Sequence, residues 1–344
     1  MEKACVFGSG GWGTALAQLL AEKGYNVAQW VREPEVADEI NGKGTNSIFL
    51  PEVQLSEKIR ACTGEEEVLD GAGIVLLVIP TQHLRSVVVK VRDLLPVGVP
   101  LVNCGKGIER GSLALMSEVL TDELPGKYHP YIAHLSGPSF AKEVARGMPA
   151  NVTVASASKE AALSVQAILG EPKFRVYTST DVAGVLIGGA IKNVIAIASG
   201  ACDGLGFGLN ARASLITRGL AEMTRLAAAM GANPLTLAGH AGVGDLVLTC
   251  TGDLSRNHMV GFELGLGKSL EEIIGSMRMV AEGVETSRST WQLSRKLDIE
   301  MPITEQVYTV LHEGKPVRDA AEYLMSRTPK DEVDPYPSPW SAKE

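Results

Sequence analysis

Along residues 1–180, short runs of β-branched and aliphatic residues alternate with stretches whose apolar positions recur at helical spacing. The runs at 4–8, 26–31, 59–63, 73–79, 100–103, 131–135, 152–155 and 174–178 predict eight strands, and segments such as 14–23 and 161–169 predict intervening helices. Runs that are apolar throughout, such as 74–79, predict parallel strands covered on both faces. Alternating β and α of this kind predicts a doubly wound α/β sheet. After about residue 181 the strand pattern stops. Helical periods at 182–201, 211–230, 270–279, 286–297 and 303–311 predict a second, all-helical domain. The expected division is 1–180, 181–327 and an irregular tail at 328–344, which holds four prolines.

The segment 182–201 is long and apolar enough to resemble a membrane span, but Lys192 and Asn193 stand at its centre. A central lysine costs about 2.5–3.5 kcal/mol on insertion scales. The segment therefore predicts a buried helix rather than a stable membrane insertion. No signal peptide is expected, because a strand-like segment begins at Lys3. Five widely spaced cysteines without a CxxC pair predict buried free thiols in a reducing, cytoplasmic compartment. A net charge of −8 argues against nucleic acid or an anionic membrane as partner, yet leaves room for a small phosphorylated substrate held by a few local cations.

Gly8, Gly10 and Gly13 form a GxGxxG turn between a strand and a helix. The first glycine permits the tight turn, the second lets backbone approach a pyrophosphate, and the third lets the helix pack close to the sheet. The helix N-terminus then faces the phosphates. This makes the first domain Rossmann-like, with NAD or NADP as the expected cofactor. At the end of the second strand, Arg32 and Glu33 compete for the ribose position. Strand alternation predicts that they face opposite sides.

Lys192 lies in a helix apolar all round, so it must be paired, neutral, or facing a polar cavity. One reading is a structural salt bridge; the other is a general acid that protonates an alkoxide as hydride arrives. The six histidines show no metal-site spacing, and no metal is assigned. Two further segments look like anion cradles: Ser136-Gly137-Pro138-Ser139-Phe140, where Ser139 is either a ligand or a helix cap, and 242–249 with 252–257, where Asp245 precedes a glycine turn and Ser255-Arg256-Asn257 is either a phosphate site or a solvated helix start. Lys106, in a glycine-flanked loop after the fifth strand, is either near the sheet's carboxyl edge, where ligands bind, or an exposed loop lysine.

Six ordered motifs, GSGGWGTALA, NCGKGIE, LSGPSFAKEVA, GGAIKNVIAIASG, GVGDLVLTC and DLSRN, resemble NAD(P)-dependent glycerol-3-phosphate dehydrogenases of the bacterial type over about residues 4–327. NCGKG departs from the commoner Thr- or Ser-Lys-Gly form. The resemblance implies reversible reduction of dihydroxyacetone phosphate to sn-glycerol 3-phosphate, the glycerophospholipid backbone. It implies Lys192 as proton donor and acceptor. It also implies Lys106, Gly137, Ser139, Lys192, Asp245, Ser255, Arg256 and Asn257 around the substrate. Gly11, Trp12, Arg32, Lys106, Ala141, Arg256, Val280 and Glu282 would touch the cofactor. The apolar helical domain is compatible with a homodimer. Two alternatives stand beside this reading: a β-hydroxyacid-type dehydrogenase acting on carboxylates, and a non-catalytic NAD(P) sensor.

Overall fold

The computed structural model describes residues 3–277, 281–329 and 331–332. All eight expected strands form: β1 (Lys3–Phe7), β2 (Asn26–Trp30), β3 (Ile59–Cys62), β4 (Ala72–Leu77), β5 (Leu101–Asn103), β6 (Ile132–Ser136), β7 (Ala150–Ala155) and β8 (Phe174–Ser179). They make one sheet in the order β3-β2-β1-β4-β5-β6-β7-β8. In the central strands β1 and β4 every residue but Lys3 and Gly73 is buried, and alternate side chains feed different cores. Cys5, Phe7, Val75 and Leu77 face one layer, while Ala4, Val6, Ile74 and Leu76 face the other. Burying one such large side chain stabilises the fold by about 1.5–3 kcal/mol. This is why these strands read as continuous apolar runs.

The sheet is parallel except at one pairing. β7 pairs with β6 antiparallel, with Ser136 opposite Thr153, and β8 then runs parallel to β7. A parallel return needs a long crossover that carries the chain back along the sheet. After β6 the chain instead turns at Gly137, forms the five-residue helix Ala141–Ala145, and re-enters the sheet from the end it has just left. That reversal keeps 137–145 at the carboxyl edge of the first six strands.

The helix Val182–Gly204 follows β8 directly, and the Asp181 carboxylate caps it by accepting from the Gly184 N–H at 3.0 Å. In its most apolar stretch 83% of the residues are buried, which makes it a core helix. Helices Gly208–Ala229, Asp245–Thr251, Arg256–Gly265 and Glu282–Lys296 pack around it. The crossing with Arg256–Gly265 is close: a Cβ at Gly200 would lie 1.9 Å from the His258 carbonyl oxygen, and one at Gly261 would lie 1.8 Å from that of Ile197. Glycine alone permits this approach, which pulls the Ser255-Arg256-Asn257 end against the helix that carries Lys192. Among the described residues no strand follows β8. The expected helix at 270–279 forms as Leu270–Ser276, and 278–280 lie outside the described residues, as do 330 and 333–344 of the expected tail.

Candidate active site

β1 and β4 are neighbours whose connections leave in opposite directions, so a crevice opens at their carboxyl ends, where sheets of this kind bind ligands. The glycine turn occupies that crevice. Gly8 has φ +126°, and a Cβ there would lie 2.3 Å from the Val78 carbonyl oxygen; one on Gly13 would lie 2.3 Å from that of Gly8. A Cβ on Gly10 would meet nothing within 4 Å. This is the surface a ligand can approach. Gly10 caps helix Gly11–Glu22 with no side-chain hydrogen bond, leaving first-turn N–H groups for an anion. The Trp12 indole nitrogen Nε1 is buried without a hydrogen-bond partner. An orphaned donor beside an open, glycine-lined turn fits a dinucleotide pyrophosphate. Ala141 reaches the same place, its Cβ 3.7 Å from where one on Gly11 would stand.

Arg32 and Glu33 do not face opposite sides. β2 ends at Trp30, so alternation has lapsed, and the Arg32 Nε donates to Glu33 Oε1 at 2.8 Å. The two occupy one location as an ion pair.

The lysine centre joins four segments distant in sequence. Lys192 is 7% exposed and its ammonium donates to Asp245 Oδ1 and, at 3.0 Å, to Thr249 Oγ1. Lys106 donates to the other Asp245 oxygen at 2.6 Å and to the Gly137 carbonyl at 2.9 Å. Asp245, 1% exposed, thus stands between two ammonium groups. Burial pushes the Lys192 pKa down to about 8; the Asp245 charge opposes this and the Lys106 charge adds to it. Burial alone would raise the Asp245 carboxyl, but the two lysines more than offset it and hold it low. Lys192 is therefore salt-bridged and, through burial, also tuned towards neutrality.

Asn193 donates to the Lys106 carbonyl at 3.2 Å and accepts from Asn257 at 2.9 Å, while Asn257 Oδ1 accepts from the Gly283 N–H at 2.9 Å. This chain ties the lysine loop, the central helix and the Glu282–Lys296 helix together. Glu282 accepts from the Thr81 N–H at 3.2 Å. Burial raises its pKa to about 7, against the pull of Thr81 and of the Arg256 charge. Ser255 caps its helix by accepting from the His258 N–H at 3.2 Å, and Arg256 stands exposed at the rim. Ser139 is not a cap: Phe140 holds that position, and the Ser139 hydroxyl donates to the Gly137 carbonyl at 2.9 Å. Val280 lies outside the described residues.

Three polar groups of the centre had no role of their own assigned from sequence, although Ser136 and Thr249 lie inside the two cradle segments. Thr249 sits one helical turn after Asp245, on the same face, and i,i+4 spacing was the available signal. Asn193 was visible only as a polar residue in an apolar helix. Ser136, at the end of β6, keeps a buried hydroxyl without a partner, and a Cβ on Gly189 would lie 2.6 Å from that oxygen. Elsewhere, a cavity of about 570 Å³ opens between the central helix and helices Pro302–Glu313 and Val317–Ser326. Its wall, including Ile197, Ala201, Leu215, Val307 and Leu324, is largely aliphatic and is separate from the lysine centre.

Residues 3–162 match the family described as NAD-dependent glycerol-3-phosphate dehydrogenase N-terminus, and 181–322 match the C-terminus of the same family. The chain belongs to the NAD-dependent glycerol-3-phosphate dehydrogenase family. It is 54% identical over 331 residues to the glycerol-3-phosphate dehydrogenase (NAD(P)+) of Geobacter metallireducens, covering 96% of this chain and 99% of that one. The Myxococcus xanthus enzyme of the same name is 53% identical, with the same coverage. A 2.1 Å crystal structure of glycerol-3-phosphate dehydrogenase from Coxiella burnetii superposes with a TM-score of 0.90 at 38% identity, covering 95% of this chain and 99% of that one. The chain is thus an NAD(P)-dependent oxidoreductase, and family membership selects the phosphate-substrate reading over the carboxylate dehydrogenase and the non-catalytic sensor.

Proposed function

We propose that Lys192 is the proton donor in the reduction of dihydroxyacetone phosphate to sn-glycerol 3-phosphate by NAD(P)H, and the acceptor in the reverse direction. One observation carries this reading: a buried lysine, held by Asp245 and Thr249, has its pKa brought down to about 8. An acid poised near the working pH transfers a proton with least loss. The bound nicotinamide supplies the hydride. As the substrate oxygen gains charge, Lys192 hands over its proton, and Asp245 keeps the amine aimed. Lys106 adds a second positive charge beside the same carboxylate.

We assign the remaining roles in the same reading. Lys106, Gly137, Ser139, Lys192, Asp245, Ser255, Arg256 and Asn257 surround the substrate, with the Arg256 guanidinium and the helix start at Ser255 taking the phosphate. Gly8, Gly10, Gly11, Trp12, Gly13, Arg32, Lys106, Ala141, Arg256, Val280 and Glu282 hold the dinucleotide. We divide the chain into a dinucleotide-binding unit at 1–180, a helical catalytic unit at 181–327 and a tail at 328–344, and we assign it to the cytoplasm. Leu254, Met259, Phe262 and Leu266 expose apolar surface on the helical unit and support a homodimer. Steady-state kinetics of Lys192→Ala test the central claim. Removing the general acid lowers kcat by about 10²–10⁴ while NAD(P)H affinity stays near wild type. A wild-type kcat would end the assignment.

A further inference from the structure

We propose that Gln82 and Arg85 are positioning residues that hold the Lys106 loop against the substrate site. Lys106 sits between Gly105 and Gly107, so its own backbone supplies little stiffness. Its place must be imposed from outside. Upstream, the Asn103 side chain clasps Gly105, accepting from its N–H and donating to its carbonyl, each at 3.1 Å. Downstream, the grip comes from the segment that follows β4. Gln82 Nε2 donates to the Ile108 carbonyl at 3.0 Å, and Gln82 Oε1 accepts from the Arg110 N–H at 2.9 Å.

Arg85, on helix Leu84–Val91, takes Glu109 in a fork. Its Nε lies 2.9 and 3.1 Å from the two carboxylate oxygens, and Nη2 lies 2.8 Å from Oε2. Nη1 pairs with Glu123, and the Ser112 hydroxyl also donates to Glu109. Glu109 is 9% exposed, and the Arg85 hydrogen bonds hold its carboxyl below the usual range. A planar fork fixes both distance and orientation, which a lysine point charge does not. Among the described residues, neither Gln82 nor Arg85 hydrogen-bonds to Lys106, Lys192 or Asp245; Gln82 acts on the loop backbone and Arg85 acts through the Glu109 carboxylate. Thr81, just before Gln82, meets Glu282.

The inference rests on the reading that Lys106 faces the substrate, and the test separates the two. Loosening the loop withdraws Lys106 from the substrate and from Asp245. The first effect raises KM for dihydroxyacetone phosphate. The second removes a like charge from beside Lys192, whose pKa then rises. For Arg85→Met, KM for dihydroxyacetone phosphate is expected to rise about tenfold or more, with KM for NADPH within about twofold of wild type. The alkaline limb of kcat/KM for reduction moves upward by about half a pH unit or more. Arg85→Lys falls between the two. Merely structural damage would not move that limb. If Arg85→Met does not fold, Gln82→Ala and Glu109→Gln carry the same signature at a measurable melting temperature. Equal rises in both KM values, or an unmoved alkaline limb in the folded variants, overturn the proposal. Lys106→Ala supplies the separation: an unchanged KM for dihydroxyacetone phosphate there defeats the underlying reading instead.

Discussion

Replacing Asp245 by Asn keeps the shape of the lysine centre and removes the carboxylate that Lys106 and Lys192 share. The amide can accept from one lysine, but its NH2 then points a donor at the other. An opposite charge within hydrogen-bonding distance shifts a pKa by about 1–3 units, each unit being about 1.4 kcal/mol. The Lys192 pKa, held at about 8 partly by Asp245, therefore falls. A fall of one to two units leaves roughly a tenth to a hundredth of Lys192 protonated at pH 8, where half is protonated in the wild type. Reduction at pH 8 drops by roughly 5- to 50-fold through protonation alone, and lost orientation adds to this. The assay is NADPH oxidation with dihydroxyacetone phosphate, recording kcat/KM from pH 5.5 to 9.5 (values chosen to bracket about pH 8). The alkaline limb should move to lower pH, and activity should recover partly on acidification. A limb that stays in place, or moves up, would refute the claim that Asp245 sets the charge state of Lys192.

Arg256→Ala should weaken the phosphorylated substrate by about 1.5–3 kcal/mol, the range for hydrogen bonds to a charged group. Unphosphorylated dihydroxyacetone, compared in parallel kinetics, should lose much less. Arg32→Ala should raise KM for NADPH far more than for NADH, and because Glu33 pairs with Arg32, Glu33→Gln should favour NADPH further. A cofactor comparison on both variants checks it; indifference to Arg32 would transfer the ribose position to Glu33. Glu222 is buried, accepts from the Thr304 N–H at 3.1 Å and its hydroxyl at 2.9 Å, and burial raises its pKa to about 7. The folded state then binds more protons than the unfolded one between about pH 4.5 and 7, so this group's share of stability is present below that window and lost as pH rises through it. Glu222→Gln should flatten that part of a melting temperature series across the same window.

Strand positions, the change of texture near residue 181 and the glycine turn were all legible in the sequence. Each is carried by a local pattern: β-branched runs, helical spacing and the spacing of three glycines can be read without knowing how the rest of the chain packs. Lys192 was legible for a related reason, since an ammonium in an apolar helix must be compensated wherever that helix packs. Its partner was not determined in this way. Asp245 lies 53 residues further on, and only the packing of helix Asp245–Thr251 against the central helix brings its carboxylate to Nζ. The same holds for the reversal of β7, where the direction of return depends on the path the chain takes across the sheet edge. It holds for Arg32 and Glu33, where the strand's end cancels the alternation that would have separated them. Burial and charge decide pKa values only when all three dimensions are in place, because desolvation and Coulomb attraction depend on distance in space rather than along the chain. The sequence by itself thus determined which groups needed a partner, and the tertiary structure decided which partner each one received.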